Sequence, residues 1–250
     1  MFIFYDKDKM EQTNYEESNV KEKAKRLSLT PVEGKEGLFE GLKSDGKRYT
    51  VRSDRHRYFF PVEWVKFMNE IPENRKILFE TLLQTGGRID EVLHLKPKDF
   101  IWDDKTVRLR VTKVKAKKGE SKLLGGKQRS FGVSSQYIRK MKKFVLSNKI
   151  AEDFLIFTVT KQGVSQMLKR ALHRAGLKEW EFSLHNIRKT TGMWLKTVQR
   201  RGYDLDSDEI CMRLGHDHNT FLQHYGSPSI FTEVHRDKII DILGDVYNLR

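Results

Sequence analysis

One alternating run limits how this chain can layer. In TVRLRVTKVK, Val107, Leu109, Val111 and Val114 fall close to every second position, with basic residues between them. That spacing marks a half-buried strand. The glycine- and lysine-rich AKKGESKLLGGKQ that follows reads as a hairpin loop, and RSFGVS as a short return strand. The segments on either side have helical spacing. A basic hairpin set among helices predicts an α+β fold, mainly α, with one small antiparallel β-sheet.

The helices are delimited by their own punctuation. Pro61 sits where a helix can start, and PVEWVKFMNEI places Val62, Val65 and Met68 on one face with Trp64 and Phe67 adjacent. Pro72 ends it. ENRKILFETLLQTG carries Ile77, Leu78, Leu82 and Leu83 and stops at Gly86-Gly87, a suitable helix terminus. IDEVLHL is a short helix bounded by Pro97. SQYIRKMKKFVLS presents Ile138, Met141 and Val145, FLIFTV is a strand or extended run, and QGVSQMLKRALHRAGL is a helix ending at Gly176. LHNIRKTTGMWLKTV, SDEICMRL and SIFTEVHRDKIIDIL complete the helical set. No internal repeat is present.

Before Leu38 the chain is polar. EQTNYEESNVKEKAKRLS offers a short exposed helix with little to bury, broken at Gly34 and Gly37. Residues 1–37 therefore read as a tail, poorly ordered. From 38 to 60 the chain turns basic and aromatic: Lys47, Arg48, Arg52, Arg55, His56 and Arg57 lie among Tyr49, Tyr58, Phe59 and Phe60. This segment reads as a basic linker, with 61–250 as the main folded domain.

The net charge of +14 asks for a polyanion as partner. Nucleic acid fits better than an anionic membrane, because the lysines do not gather on one amphipathic terminal helix. No apolar run is long enough to span a bilayer, and acids and lysines follow the first apolar residues too soon for a secretion signal. An intracellular location is expected. The single cysteine, Cys211, rules out an internal disulfide and a multi-cysteine zinc site.

Chemistry gathers between Ser183 and Gly226. SLHNIRKTTGMWL supplies His185 and Arg188, three apart on one helix face. EICMRLGHDHNTFLQHYG supplies His216, after a helix-ending Gly215, and Tyr225. Arg88 stands upstream in TGGRIDEVLHL, near a helix N-terminus, a place that attracts anions. Metal-free phosphoryl transfer needs a nucleophile, cations on the non-bridging oxygens and an acid for the leaving oxygen. Arginine suits the second role, since its planar guanidinium grips phosphate with paired hydrogen bonds and keeps its charge. Taken singly, each residue has a plainer reading: a surface arginine, a structural histidine, a half-buried tyrosine. His216, His218 and His224 match no standard zinc spacing. Asp99, Asp103 and Asp104 read as turn caps. No nucleotide-binding glycine loop is present.

Together these residues resemble the catalytic domain of the tyrosine recombinase (phage integrase) family. TGGRIDEVLHLKPKDF is similar to the family's first-arginine motif, SLHNIRKTTGMWL to its HxxR box, and LGHDHNTFLQHYG to its LGH-to-tyrosine box; the basic hairpin stands where the family places its catalytic lysine. The resemblance runs from about residue 56 to 243. It implies a helical tyrosine-recombinase catalytic domain with a small antiparallel sheet. It implies an enzyme that cleaves and rejoins DNA through a 3′-phosphotyrosyl link, without metal, ATP or other cofactor. Tyr225 is then the nucleophile, Arg88 and Arg188 clamp the phosphate, His216 bonds it, and His185 assists proton transfer. A hairpin lysine protonates the leaving 5′-oxygen: counting from Arg88 and Asp99 favours Lys113, and a longer strand favours Lys115. The alternatives are a type IB topoisomerase-like enzyme and a non-catalytic DNA-binding protein of the same fold.

The resemblance also implies double-stranded DNA as partner. Lys47, Arg48, Arg52, Arg55 and Arg57 are expected on DNA, with Lys117, Lys118 and Lys122 from a hairpin longer than the family's compact form. Residues 38–60 would be the linker or a reduced DNA-binding arm, since what precedes the catalytic part is too short and polar for the family's N-terminal helical domain. The chain would be a fragment, or rely on that arm. Self-association as a dimer or tetramer on DNA is expected, through the C-terminal helix 229–243 or with that helix packed on its own domain. The expected location is the cytoplasm, with the nucleoid, or a host cytoplasm if a virus or plasmid encodes the chain.

Overall fold

The computed structural model describes residues 29–42, 45–52, 58–110, 128–199, 207–215, 217–225 and 231–246, with Arg52 and 222–225 described by backbone alone. It divides into two units, Met1–Arg57 and Tyr58–Arg250.

In the first unit, three antiparallel strands run β1 (Thr30–Pro31), β2 (Leu38–Leu42) and β3 (Arg48–Arg52). Leu38 faces Arg52 and Leu42 faces Arg48. The end of the expected tail and the start of the expected linker are thus paired strands. Leu38 is the buried anchor. Gly41 is buried opposite Tyr49, and a β-carbon there would lie 2.5 Å from Leu29 Cδ2, so the close approach requires glycine. The helix expected over 11–28 lies outside the described residues.

The second unit is helical around one small sheet, as the sequence predicts. Helix α1 (Pro61–Asn69) starts with proline in its first turn, and Glu63 accepts the Phe60 amide at 2.9 Å. Its inward face is Trp64 and Phe67, while Val62 and Val65 are exposed. The expected valine face is therefore turned outward, because two aromatic rings remove more apolar surface from water than two valines.

Helix α2 (Glu73–Thr85) is buried from Ile77 to Leu83 apart from Glu80, and ends on Gly86 with φ of 57°. A side chain at Gly86 would also meet Leu214 Cδ2 at 2.8 Å. Glycine is required there twice, by conformation and by space. Helix α3 (Ile89–Leu93) follows, then a single 3₁₀ turn at Pro97–Asp99.

The sheet is β4 (Phe100–Ile101), β5 (Thr106–Arg110) and β6 (Gln128–Gly132), all antiparallel. Strand β4 adds to the expected hairpin. Val107, Leu109 and Phe131 face the core. The run FLIFTV forms no strand. Ile156 and Phe157 are buried, with the Ile156 amide on the Leu95 carbonyl at 2.9 Å, while Phe154 is exposed.

Helices α4 (Ser135–Ser147) and α5 (Lys161–Arg174) are capped by the Ser134 and Thr160 hydroxyls, which accept from Tyr137 and Gly163 amides at 3.1 Å each. Helix α6 (Leu184–Gln199) is the central element and packs against α2, α7 (Ser207–Leu214), α8 (His218–Tyr225) and α9 (Glu233–Leu243). Its buried Thr190, Thr191 and Thr197 hydroxyls donate to carbonyls four residues back, at 2.8, 3.1 and 2.8 Å. Buried polar groups are thereby satisfied within the helix.

Helix α9 starts at Glu233, later than the sequence predicts, and packs on α1 and α6 of the same chain. Ile239 and Leu243 are its buried residues, and Val234 is exposed. Among the described residues no helix is long and apolar enough to cross a membrane.

Candidate active site

Arg88 closes the turn after α2 and serves as N-cap of α3. Glu91, at the third helical position, accepts the Arg88 amide at 2.9 Å and the Arg88 Nη1 at 3.0 Å. The Glu91 side chain is fully buried, whereas that of Arg88 is 36 % exposed. Arg88 is therefore aimed by a buried carboxylate and remains open to an incoming anion.

Arg188 is 2 % exposed. Its Nη1 donates to the Gly86 carbonyl at 2.7 Å, and its Nη2 donates to the Leu214 carbonyl. It joins the turn carrying Arg88 to the end of α7, two residues before His216. His185, one helical turn earlier, is exposed.

A second arginine links the same two segments. Arg129 on β6 donates from Nη2 to Glu91 Oε2, and its side chain is 8 % exposed. A β-carbon on Gly215 would lie 2.3 Å from Arg129 Nη1. Gly215 has φ of 58°, so the turn before His216 needs glycine both for its left-handed backbone and for the guanidinium beneath it. Burial pulls the Arg129 pKa below its ordinary value; Glu91 opposes that shift, and Arg88 adds to it. An arginine stays charged under such a shift.

Arg213 on α7 is a third buried guanidinium. It donates to the Gln84 carbonyl at 2.8 Å and the Gly132 carbonyl at 2.6 Å, and lies 4.6 Å above the Phe131 ring. It ties α7 to the end of α2 and to β6.

Helix α8 is set by Asp217. The Thr220 amide donates to Asp217 Oδ1 at 2.8 Å and the Thr220 hydroxyl to Oδ2 at 2.7 Å. These bonds hold the carboxyl below the usual carboxylate range, the backbone one foremost. Phe221 is buried and anchors the helix that ends at Tyr225.

Arg88 and Arg188 are thus brought to one turn, with His185 on the same helix as Arg188. His216, Lys113, Lys115, Lys117, Lys118, Lys122, Arg55 and Arg57 lie outside the described residues, as do the side chains of Tyr225 and Arg52. Lys47 and Arg48 are exposed and pair with Asp45 at 3.3 Å and Glu40 at 3.4 Å. Such surface pairs are weak and exchange readily for a phosphate. Asp99 caps as expected, accepting the Lys96 amide at 2.9 Å, and also faces Arg110 at 3.3 Å. Among the described residues no group of three or more His, Cys, Asp or Glu could hold a metal ion.

The sequence reading passed over Glu91, Arg129 and Arg213. Two of them carried a signal. Glu91 stands three residues after a helix start, where an acid closes back on the cap. Arg129 shares the inward face of its strand with Phe131, two positions on.

Comparison with known proteins matches residues 62–229 to the model of the phage integrase family. The chain belongs to that family. Tyrosine recombinase XerH of Campylobacter jejuni is 24 % identical over 158 residues, 61 % of this chain and 42 % of XerH. Among solved structures, XerA recombinase superposes with a TM-score of 0.54 at 18 % identity, over 74 % of this chain and 64 % of that one. The integrase of transposon Tn1549, in complex with transposon right end DNA, gives 0.55 at 14 % identity over 76 % and 67 %. These likenesses establish the recombinase catalytic fold. The chain spans less than two thirds of the XerH and XerA chains it matches.

Proposed function

We propose that this phage integrase family chain is the catalytic part of a site-specific DNA recombinase. One observation carries the reading: guanidinium groups cross from the Gly86–Glu91 segment to the Leu214–Gly215 turn, Arg188 directly and Arg129 through the Glu91 that also holds Arg88. Similarity to XerH, a tyrosine recombinase, supports it.

In this reading the Tyr225 oxygen attacks a DNA phosphorus. A P–O(Tyr) bond forms, the bond to the 5′-oxygen breaks, and a 3′-phosphotyrosyl link and free 5′-hydroxyl result. His185 takes the tyrosine proton, and Lys113 or Lys115 gives one to the leaving oxygen. Arg88 meets the non-bridging oxygens from its open side. Arg188, bonded as it is to two carbonyls, shapes the site and reaches phosphate only by exchanging one of them. His216 bonds the phosphate. Phosphodiester energy is kept in the covalent link, so a 5′-hydroxyl from a second duplex reverses the step without a nucleotide. Lys47, Arg48, Arg52, Arg55, Arg57, Lys117, Lys118 and Lys122 hold the duplex backbone. Exchange between duplexes requires at least two copies on DNA.

The test is covalent capture. Wild-type protein is incubated with a pool of duplexes of random sequence, each with one 5′-bridging phosphorothiolate, whose thiol product rejoins poorly. SDS-resistant adduct is expected, enriched for one sequence and lost in Tyr225→Phe. Adduct that persists in Tyr225→Phe, or none from the wild type, overturns the catalytic assignment. Joining of two selected duplexes separates recombination from topoisomerase-like relaxation.

A further inference from the structure

Glu91 is shared by two arginines, and the second has no counterpart among the residues assigned above. Both carboxylate oxygens are engaged: Oε1 by Arg88 Nη1 at 3.0 Å, Oε2 by the Arg88 amide at 2.9 Å and by Arg129 Nη2. The cluster holds two guanidinium groups and one carboxylate, leaving one positive charge in excess. Among the described residues, Arg129 Nε and Nη1 are buried with no hydrogen-bond partner.

A buried cluster of this kind stabilises a fold poorly. Desolvation consumes most of the attraction, and apolar residues of equal volume serve as well. Its location gives it a different use. Arg129 pairs with Leu109 across β5–β6, and Leu109 Cδ1 would be 2.8 Å from a β-carbon on Gly87. The strand pair thus abuts the turn before Arg88, while the Arg129 guanidinium lies under Gly215.

We propose that Arg129 is a positioning residue for the cleavage reaction, fixing Arg88 through Glu91 and supporting the turn at Gly215, the residue before His216 in the sequence. This rests on the recombinase reading. Arg129 does not touch the phosphate; it holds the carboxylate that aims the arginine that does. Lysine at this position keeps the charge but loses the planar fork that spans Glu91 and Gly215.

The test compares wild type, Arg129→Gln, Arg129→Lys and Arg88→Gln in single-turnover strand cleavage of the random duplex pool. A second pool carries a methylphosphonate at the scissile position, where one charged oxygen is replaced by methyl. On the ordinary phosphate, Arg129→Gln is expected to slow cleavage by about a hundredfold, the cost of misplacing a catalytic group by an ångström, with pool binding unchanged. Arg129→Lys falls between. On the methylphosphonate there is less charge to clamp, so the deficits of Arg129→Gln, Arg129→Lys and Arg88→Gln all shrink. A role in packing alone would leave the Arg129 deficits equal on both pools. That result, or wild-type cleavage by Arg129→Gln, overturns the proposal while leaving the recombinase reading intact. If Arg129→Gln does not fold, judged by its thermal unfolding, Arg129→Lys decides on the same comparison. Absence of wild-type cleavage on either pool overturns the recombinase reading and this proposal together.

Discussion

Two faces of helix α6 hold the second unit together by different physics. On one, Trp194 and Thr190 enter an aromatic cluster. Phe59 lies 4.2 Å from Phe182 and 5.4 Å from both Trp64 and Phe67 by ring centroids, and Trp194 lies 6.3 Å from Trp64. The Phe59 amide donates to Thr190 at 2.9 Å, and the Trp194 indole donates to the Phe59 carbonyl at 3.0 Å. On the other face, Arg188 and Thr191 meet the end of α2, where Arg213 also arrives. Apolar contacts are non-directional, and many neighbours share each loss. Guanidinium bonds to a carbonyl or carboxylate are directional, and each such bond depends on a single side chain. The aromatic face is held by many shared apolar contacts; the arginine face joins the turn at Gly86 to the end of α7 at Leu214.

The comparison can be broken most directly at Trp194. Trp194→Ala empties a fully buried site and should cost about 3–5 kcal/mol in denaturant unfolding, while protein that remains folded should retain the proposed DNA cleavage. Arg213→Met should cost less, about 1–3 kcal/mol, because the apolar stem is replaced and two carbonyl acceptors lose their donor. Its cleavage rate should nevertheless fall further than that of Trp194→Ala, measured at equal folded fraction. A reversed order of cleavage loss would erase the distinction between the two faces.

The smallest effect concerns Asp217. Its folded pKa lies below the unfolded value, so its stabilisation of α8 is complete above the ordinary carboxylate range and is lost as pH falls through the lowered value. Protection of the Thr220 and Phe221 amides, relative to the intrinsic exchange rate at each pH, should fall in acid. Asp217→Asn, still able to cap, should flatten that dependence.

Most helices were legible in the sequence, because periodic apolar residues and proline or glycine stops are local signals. The Gly86 stop, the Pro61 start and the β5–β6 hairpin follow from such signals. The first-unit sheet was not legible, since its strands are short and charged and Leu38 is its buried anchor. The run FLIFTV left strand and extended chain open, because an apolar stretch reports burial, not strand pairing; it is unpaired, with Ile156 and Phe157 buried. In the candidate site, motif and order pointed to Arg88 and Arg188, and the fold brings Arg188 to the turn that precedes Arg88. Arg129 and Arg213 were not singled out, since a charged side chain is first assigned to the surface, and only tertiary structure shows which carbonyl or carboxylate receives it.

The β5–β6 register has a consequence for how this hairpin can change. The described pairing ends at Arg110 with Gln128, and Leu109 with Arg129 is the pair next to it. Among the described residues, Arg129 is located by Glu91 on α3, Gly215 after α7 and the inward Phe131 on its own strand. Closing a chain connection between two paired strands costs entropy that rises by only about 0.6 kcal/mol for each doubling of its length. A change of length between Arg110 and Gln128 should therefore come at small energetic expense and leave the aim of Arg88 undisturbed.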